Sequence, residues 1–150
     1  MINTAVSNQQ SRLPIDEARL VRAAGLVLGD AEYREGEISI AVVDDPTIHK
    51  LNARHLNHDY PTDVLSFPLL DAPPCVEGEV IVSADTAIEN AARYGWPAES
   101  ELCLYVVHGL LHLAGYGDKT DDDRREMRAA EAGVLTRLGV SLPEAKEAAP

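Results

Sequence analysis

Between Glu101 and Gly115 the chain reads ELCLYVVHGLLHLAG, and the chemistry open to it rests on two histidines. At a rise of about 1.5 Å per residue, four positions set His108 and His112 about 6 Å apart on one helical face, where both imidazoles can converge on one cation. Val106, Val107, Leu110, Leu111 and Leu113 would bury the rest of that helix. Two polar rings are then left in an apolar setting and need partners. The spacing alone recurs often by chance, but its sequel is more informative. Gly115 offers a left-handed helix end, Gly117 permits a sharp reversal, and Asp118 brings a carboxylate six residues after His112. Two imidazoles and a carboxylate leave a fourth position for water, the arrangement of a catalytic rather than a structural zinc site. One zinc ion per chain is the expected cofactor, with manganese or nickel as alternatives, because geometry and availability also decide metal choice.

Other chemistries fit less well. A zinc peptidase places its general-base glutamate directly after the first histidine, and here that position is Gly109. Ser66 has no G-x-S-x-G elbow around it, so a serine hydrolase is unsupported and a structural role in a strand is expected. An iron oxygenase with two histidines and a carboxylate is remote, since all three candidate ligands sit on one helix and turn. Asp121, Asp122 and Asp123 read most simply as the N-cap and first turn of a helix, although one of them could compete with Asp118. His55 and His58 are weak catalytic candidates beside a plain polar helix end, and Asp63 reads most simply as the end of a turn.

The elements that must position these residues follow from periodicity. Strands are expected over 2–6, 36–43, 64–68 and 79–83, with a turn-rich loop over 71–78. Helices are expected from about 14 to 28, with Leu20, Ala23, Ala24 and Val27 on one face, and over 47–58 and 85–94. The histidine helix follows Pro97, and a charged amphipathic helix spans 121–138 with Met127, Ala130, Val134, Leu135 and Leu138 inward. The order β-α-β-α-β-β-α-α-α lacks a strict βαβ alternation. It indicates an α+β fold, four strands with about five packed helices, and leaves strand directions open.

The 150 residues are 45% hydrophobic and 25% charged, which favours one core over two and excludes disorder along the whole length. With no internal repeat and no long linker, residues 1–142 are expected to form a single metal-dependent hydrolase domain and 143–150 a frayed tail. No apolar run reaches the roughly 18 residues of a membrane span, and MINTAVSNQQ has no signal-peptide character. Cys75 and Cys103 are isolated, which suits a reducing cytoplasm. Thirteen Lys plus Arg against twenty-five Asp plus Glu give a net charge of −12. That argues against a nucleic-acid coat, but a bound metal can dominate one cleft whatever the remote surface carries.

Three segments then carry a resemblance. HGLLHLAGYGD (108–118) resembles the H-G-x-L-H-L-x-G-Y-D-H pattern of the YbeY family of metal-dependent endoribonucleases. LNARHLNHDYPTDVLSFP (51–68) and GEVIVSADTA (78–87) are similar to two further segments of that family, in the same order. The resemblance implies a small mixed sheet, a bound zinc and cleavage of single-stranded RNA. It further implies ribosomal RNA and ribosomal proteins as partners, in small-subunit rRNA 3′-end maturation and ribosome quality control. His108 and His112 match its first two ligands, and Asp63, Ser66 and Phe67 match its strand near the site. Asp118 stands where the family usually has a third histidine, which lowers the formal charge of a divalent site from +2 to +1. Leu56 stands at the family's arginine and removes a guanidinium that could clamp phosphate. A metal-dependent hydrolase of another substrate, and a non-catalytic ribosome-associated metal-binding protein, are the alternatives these departures raise.

Overall fold

The structure is a computed structural model that describes residues 1–56 and 63–143, for 54–56 the backbone alone. Four strands and five helices follow the expected order: β1 (Ile2–Asn8), α1 (Glu17–Asp30), β2 (Glu35–Val43), α2 (Asp45–Leu56), β3 (Val64–Ala72), β4 (Cys75–Ser83), α3 (Ala84–Tyr94), α4 (Ala98–Leu113) and α5 (Asp121–Arg137). The fold is α+β in a single domain, with a mixed sheet in the order β1-β2-β4-β3. β1 and β4 both run parallel to β2, and β3 runs antiparallel to β4. The register sets Val6 beside Ile40, Ile40 beside Val80 and Val80 beside Ser66.

The expected loop over 71–78 is corrected. β3 runs on to Ala72, β4 begins at Cys75, and only Pro73 and Pro74 lie between them. Proline-rich composition suggested a longer break, but β3 is an edge strand and tolerates Pro68, which has no N–H to give to a ladder. The register shifts between Pro68 and Leu70 to absorb it. The cap of the last helix also differs from expectation. The Thr120 side chain accepts from the Asp123 amide at 3.0 Å, so the three aspartates form the first turn without capping it.

The two faces of the sheet carry unequal cores. α1, α4 and the α5 stripe of Met127, Val134 and Leu135 bury the larger cluster against Ile38, Ile40, Val80 and Val82. On the opposite face Val43, Ile48, Leu65 and Ile81 form a small cluster with α2. Alternation along β4 produces this division, since Val80 and Val82 point one way and Ile81 the other. α4 is the hub, in contact with α1, α3, α5, β3 and β4. An apolar helix surrounded in this way needs no amphipathic pattern.

Candidate metal centre

The histidine helix reaches the sheet through Gly109. A Cβ there would stand 2.7 Å from Val80 Cγ1 and 3.0 Å from both Ser66 Oγ and Val64 Cγ2, closer than real Cβ atoms pack. Ser66 Oγ donates to the Gly109 carbonyl at 3.1 Å, so the serine is a strut between β3 and α4. The residue that argued against a peptidase thus has a positive role: any side chain at position 109 would lift α4, and both flanking histidines, off the sheet.

α4 ends at Leu113, and the chain turns back through Gly115 at φ +102°, a conformation that suits a residue without Cβ. The Tyr116 amide donates to the Leu111 carbonyl at 3.0 Å, and Arg124 Nη1 donates to the Asp118 carbonyl at 3.0 Å. This turn brings Asp118 back over the helix. The expected trio converges: the nearest donor atoms of His108, His112 and Asp118 lie within 4.8 Å of one another. His108 Nε2 is 3.0 Å from His112 Nε2, which is 3.4 Å from Asp118 Oδ2.

The other ring nitrogens decide what this convergence means. His112 Nδ1 is 3.0 Å from the Tyr116 carbonyl oxygen, which can only accept, so that nitrogen carries a proton. His108 Nδ1 is 2.7 Å from Glu131 Oε2 and donates to it in the same way. With Nδ1 protonated on both rings, the two Nε2 atoms face each other, an arrangement that repels unless a proton or a cation lies between them. Ligand atoms in a tetrahedral site with bonds of about 2.0–2.1 Å stand roughly 3.3 Å apart. The two separations that involve His112, 3.0 and 3.4 Å, match within a few tenths of an ångström, and all three donors lie within 4.8 Å of one another. His108, His112 and Asp118 could hold a metal ion, and their chemistry suits zinc or a similar divalent transition metal.

The local field agrees. Burial disfavours the charged form of His108, yet the hydrogen bond and charge of Glu131, with the charges of Asp63 and Asp118, outweigh it and hold the ring above its ordinary pKa. Surroundings that favour a proton on this ring also favour a cation. A cleft of about 500 Å³ opens beside the trio, lined on its other side by Asp63, Val64, Leu65, Ser66 and Pro68.

Of the remaining candidates, Asp63 lines the cleft, and its carbonyl accepts from the Ser83 amide at 3.1 Å. The backbone of His55 lies in the last turn of α2, while its side chain and that of Leu56 are outside the described atoms, and His58 lies outside the described residues. Glu131 escaped the sequence reading. Its signal was a carboxylate on the inward stripe of α5, four residues after Met127 and three before Val134. Its side chain is only 14% exposed, which an unpartnered carboxylate would resist.

A family model described as Endoribonuclease YbeY matches residues 5–139. The chain belongs to the endoribonuclease YbeY family. Three relatives named Endoribonuclease YbeY illustrate the range. That of Rhodopirellula baltica is 47% identical over 72% of this chain, a match spanning 57% of the relative's length. Those of Pelotomaculum thermopropionicum and Carboxydothermus hydrogenoformans are 40% and 39% identical, each over 91% of this chain and 97% and 98% of their own. The solution structure of TM1509 from Thermotoga maritima superposes with a TM-score of 0.62 at 28% identity, covering 91% of both chains. Membership in the YbeY family supports the coarse class, an endoribonuclease and hence a hydrolase. Among the described residues of this YbeY family protein, no helix is long and apolar enough to cross a membrane.

Proposed function

We propose that the protein is a metal-dependent endoribonuclease specific for single strands, with zinc held by His108, His112 and Asp118. Its substrate is ribosomal RNA, its process small-subunit 3′-end maturation and ribosome quality control in the cytoplasm, and its partners are ribosomal proteins. Family membership supports the nuclease class. The observation that carries the metal reading is the pair of Nε2 atoms at 3.0 Å, each on a ring whose Nδ1 proton is committed elsewhere.

Each residue has a definable task. The Glu131 carboxylate and the Tyr116 carbonyl fix the two imidazoles in the tautomer that presents Nε2. Asp118 adds the one negative donor, and Gly109 sets the helix at the depth that opens the cleft onto β3. A divalent cation bound there supplies Lewis acidity toward a phosphodiester. The cleft runs between the edge strand β3 and the end of α4, so a bound strand would meet residues of both.

The deciding experiment is cleavage of a ribosomal RNA fragment by wild type and Asp118→Ala, each with and without chelator, with bound metal measured in both. Cleavage and metal lost together in the variant, and cleavage lost on chelation, support the assignment. RNA cleavage that survives complete chelation overturns it. Ends carrying a cyclic phosphate would identify the substrate's own 2′-hydroxyl as nucleophile.

A further inference from the structure

On the far side of His108 lies a second cavity, of about 340 Å³. Asp63, Val64 and His108 belong to the walls of both cavities. Beyond that shared edge, the second is walled by Asn90, Arg93 and Tyr94 from the end of α3, by Glu101 and Tyr105 from α4, and by Glu131. The two nitrogens of His108 face the two sides. Nε2 points to His112 in the metal cleft, and Nδ1 to Glu131 in the second cavity.

Arg93 is the one cation among the described residues that line either space. Most other arginines of this acidic chain are committed to carboxylates: Arg12 to Asp85, Arg19 to Asp16, Arg124 to Asp121, Arg125 to Asp122 and Arg137 to Asp30. Arg93 pairs with no described residue. It sits in the last turn of α3, where positive charge also suits the helix dipole, but a dipole asks for charge and not for a cavity. A guanidinium is a fork that takes a phosphate by two oxygens. In the same lining Tyr94 supplies an aromatic surface of the kind on which single-stranded bases stack.

The polar lining is rich in acceptors. Asp63 contributes a carboxylate and Glu131 the oxygen that His108 does not use, while Glu101 is fully buried and accepts from Trp96; Asn90 spends its Nδ2 on the Tyr105 hydroxyl at 2.8 Å, leaving a carbonyl oxygen to accept. Such a wall suits a base edge bearing amino and imino hydrogens. Guanine offers both, whereas uracil offers two carbonyls and a single imino hydrogen. We propose that this cavity is a nucleotide subsite in which Arg93 takes a phosphate and the interior takes the attached base, guanine foremost and uracil last. The proposal rests on the endoribonuclease reading, since it places the flanking nucleotide one imidazole away from the metal ligands.

Trp96, the single tryptophan, reports on the cavity because its Nε1 donates to Glu101 Oε1 at 2.8 Å. Guanosine 5′-monophosphate, uridine 5′-monophosphate and ribose 5-phosphate would be titrated into the metal-loaded full chain and followed by its fluorescence. kcat and KM on a short single-stranded RNA would be measured for wild type, Arg93→Ala and Arg93→Lys. The expected order of binding is guanosine, then uridine, then ribose phosphate. Arg93→Ala should weaken binding and raise KM about tenfold, the cost of a hydrogen bond to a charged group, with bound metal unchanged. Arg93→Lys keeps the charge at the helix end and should restore only part of this. Equal binding of all three probes overturns the base pocket, and wild-type binding and KM in Arg93→Ala overturn the subsite while the nuclease reading stands. Arg93-dependent guanosine binding in a metal-loaded protein that cleaves no RNA overturns the nuclease reading and leaves a nucleotide site.

Discussion

His108 and His112 project from a helix packed against three others and two strands, while Asp118 stands on a turn with its side chain 52% exposed. The helical half is positioned by what cannot move: Gly109 lies flush on Val80 and Ser66, and Glu131 reaches across from α5 to hold one ring. The turn half is positioned by hydrogen bonds to its backbone, from the Tyr116 amide to the Leu111 carbonyl and from the Arg124 guanidinium to the Asp118 carbonyl. Site precision and fold stability are therefore coupled on α4 and nearly independent on the turn. Substitutions on the two halves should separate along that line.

The largest effect is expected from His108→Ala or His112→Ala, each of which removes one of the three donors gathered among the described residues. Metal affinity and RNA cleavage should fall beyond the roughly 10–100-fold that losing an outer hydrogen-bond partner costs, as read by metal titration and single-turnover cleavage. Retained metal in either variant would show that the helical half is not the anchor. Gly109→Ala tests the packing of α4 instead. Its added methyl meets three atoms within 3.0 Å, and overpacking of this kind costs about 1–3 kcal/mol, visible as a lower thermal midpoint together with weakened metal binding.

Asp118→Ala should leave stability nearly untouched. It weakens metal binding but, being on an exposed turn, should leave the unfolding free energy of the metal-free protein within about 0.5 kcal/mol of wild type. A large loss of metal-free stability there would erase the distinction between the two halves. Glu131→Gln is subtler, since an amide oxygen can still accept from His108 Nδ1 while the charge is gone. Metal affinity should drop about tenfold, and less than in Glu131→Ala.

The smallest effect concerns reactivity on and off α4. Burial, as the main cause, pushes the Cys103 thiol up to about 11, so at pH 8 it stays protonated as well as inaccessible. Cys75, at the start of β4, is only partly covered. Iodoacetamide at pH 8 should label Cys75 alone, with Cys103 reacting only after denaturant unfolds the chain, as followed by intact mass. Labelling of Cys103 in the folded protein would mean that α4 opens more readily than its packing implies.

How far the sequence could be read differs between these regions. The element order, the buried face of α1 and the His108–His112–Asp118 trio were all legible, because helical periodicity and a glycine-ended helix are local properties of the chain. The length of β3 was not. Pro68, Pro73 and Pro74 weigh against a strand locally, and only the place of β3 at the sheet edge, with β4 to pair with, overrides them. Thr120 as the cap of α5 was hidden behind three aspartates of similar propensity.

The sequence by itself determined which groups are available for metal chemistry and that two of them share a helical face, since covalent spacing and helix pitch settle both. Only the tertiary structure decided that Glu131, 23 residues away, holds the outer nitrogen of His108, and that Gly109 is the contact with Val80 and Ser66 that sets the depth of the site. It likewise decided that Arg93 and Tyr94 from another helix line a cavity that His108 also lines. These are relations between elements distant in the chain. They arise from how side-chain volumes and partnered charges close around α4, for which a one-dimensional pattern carries no distance.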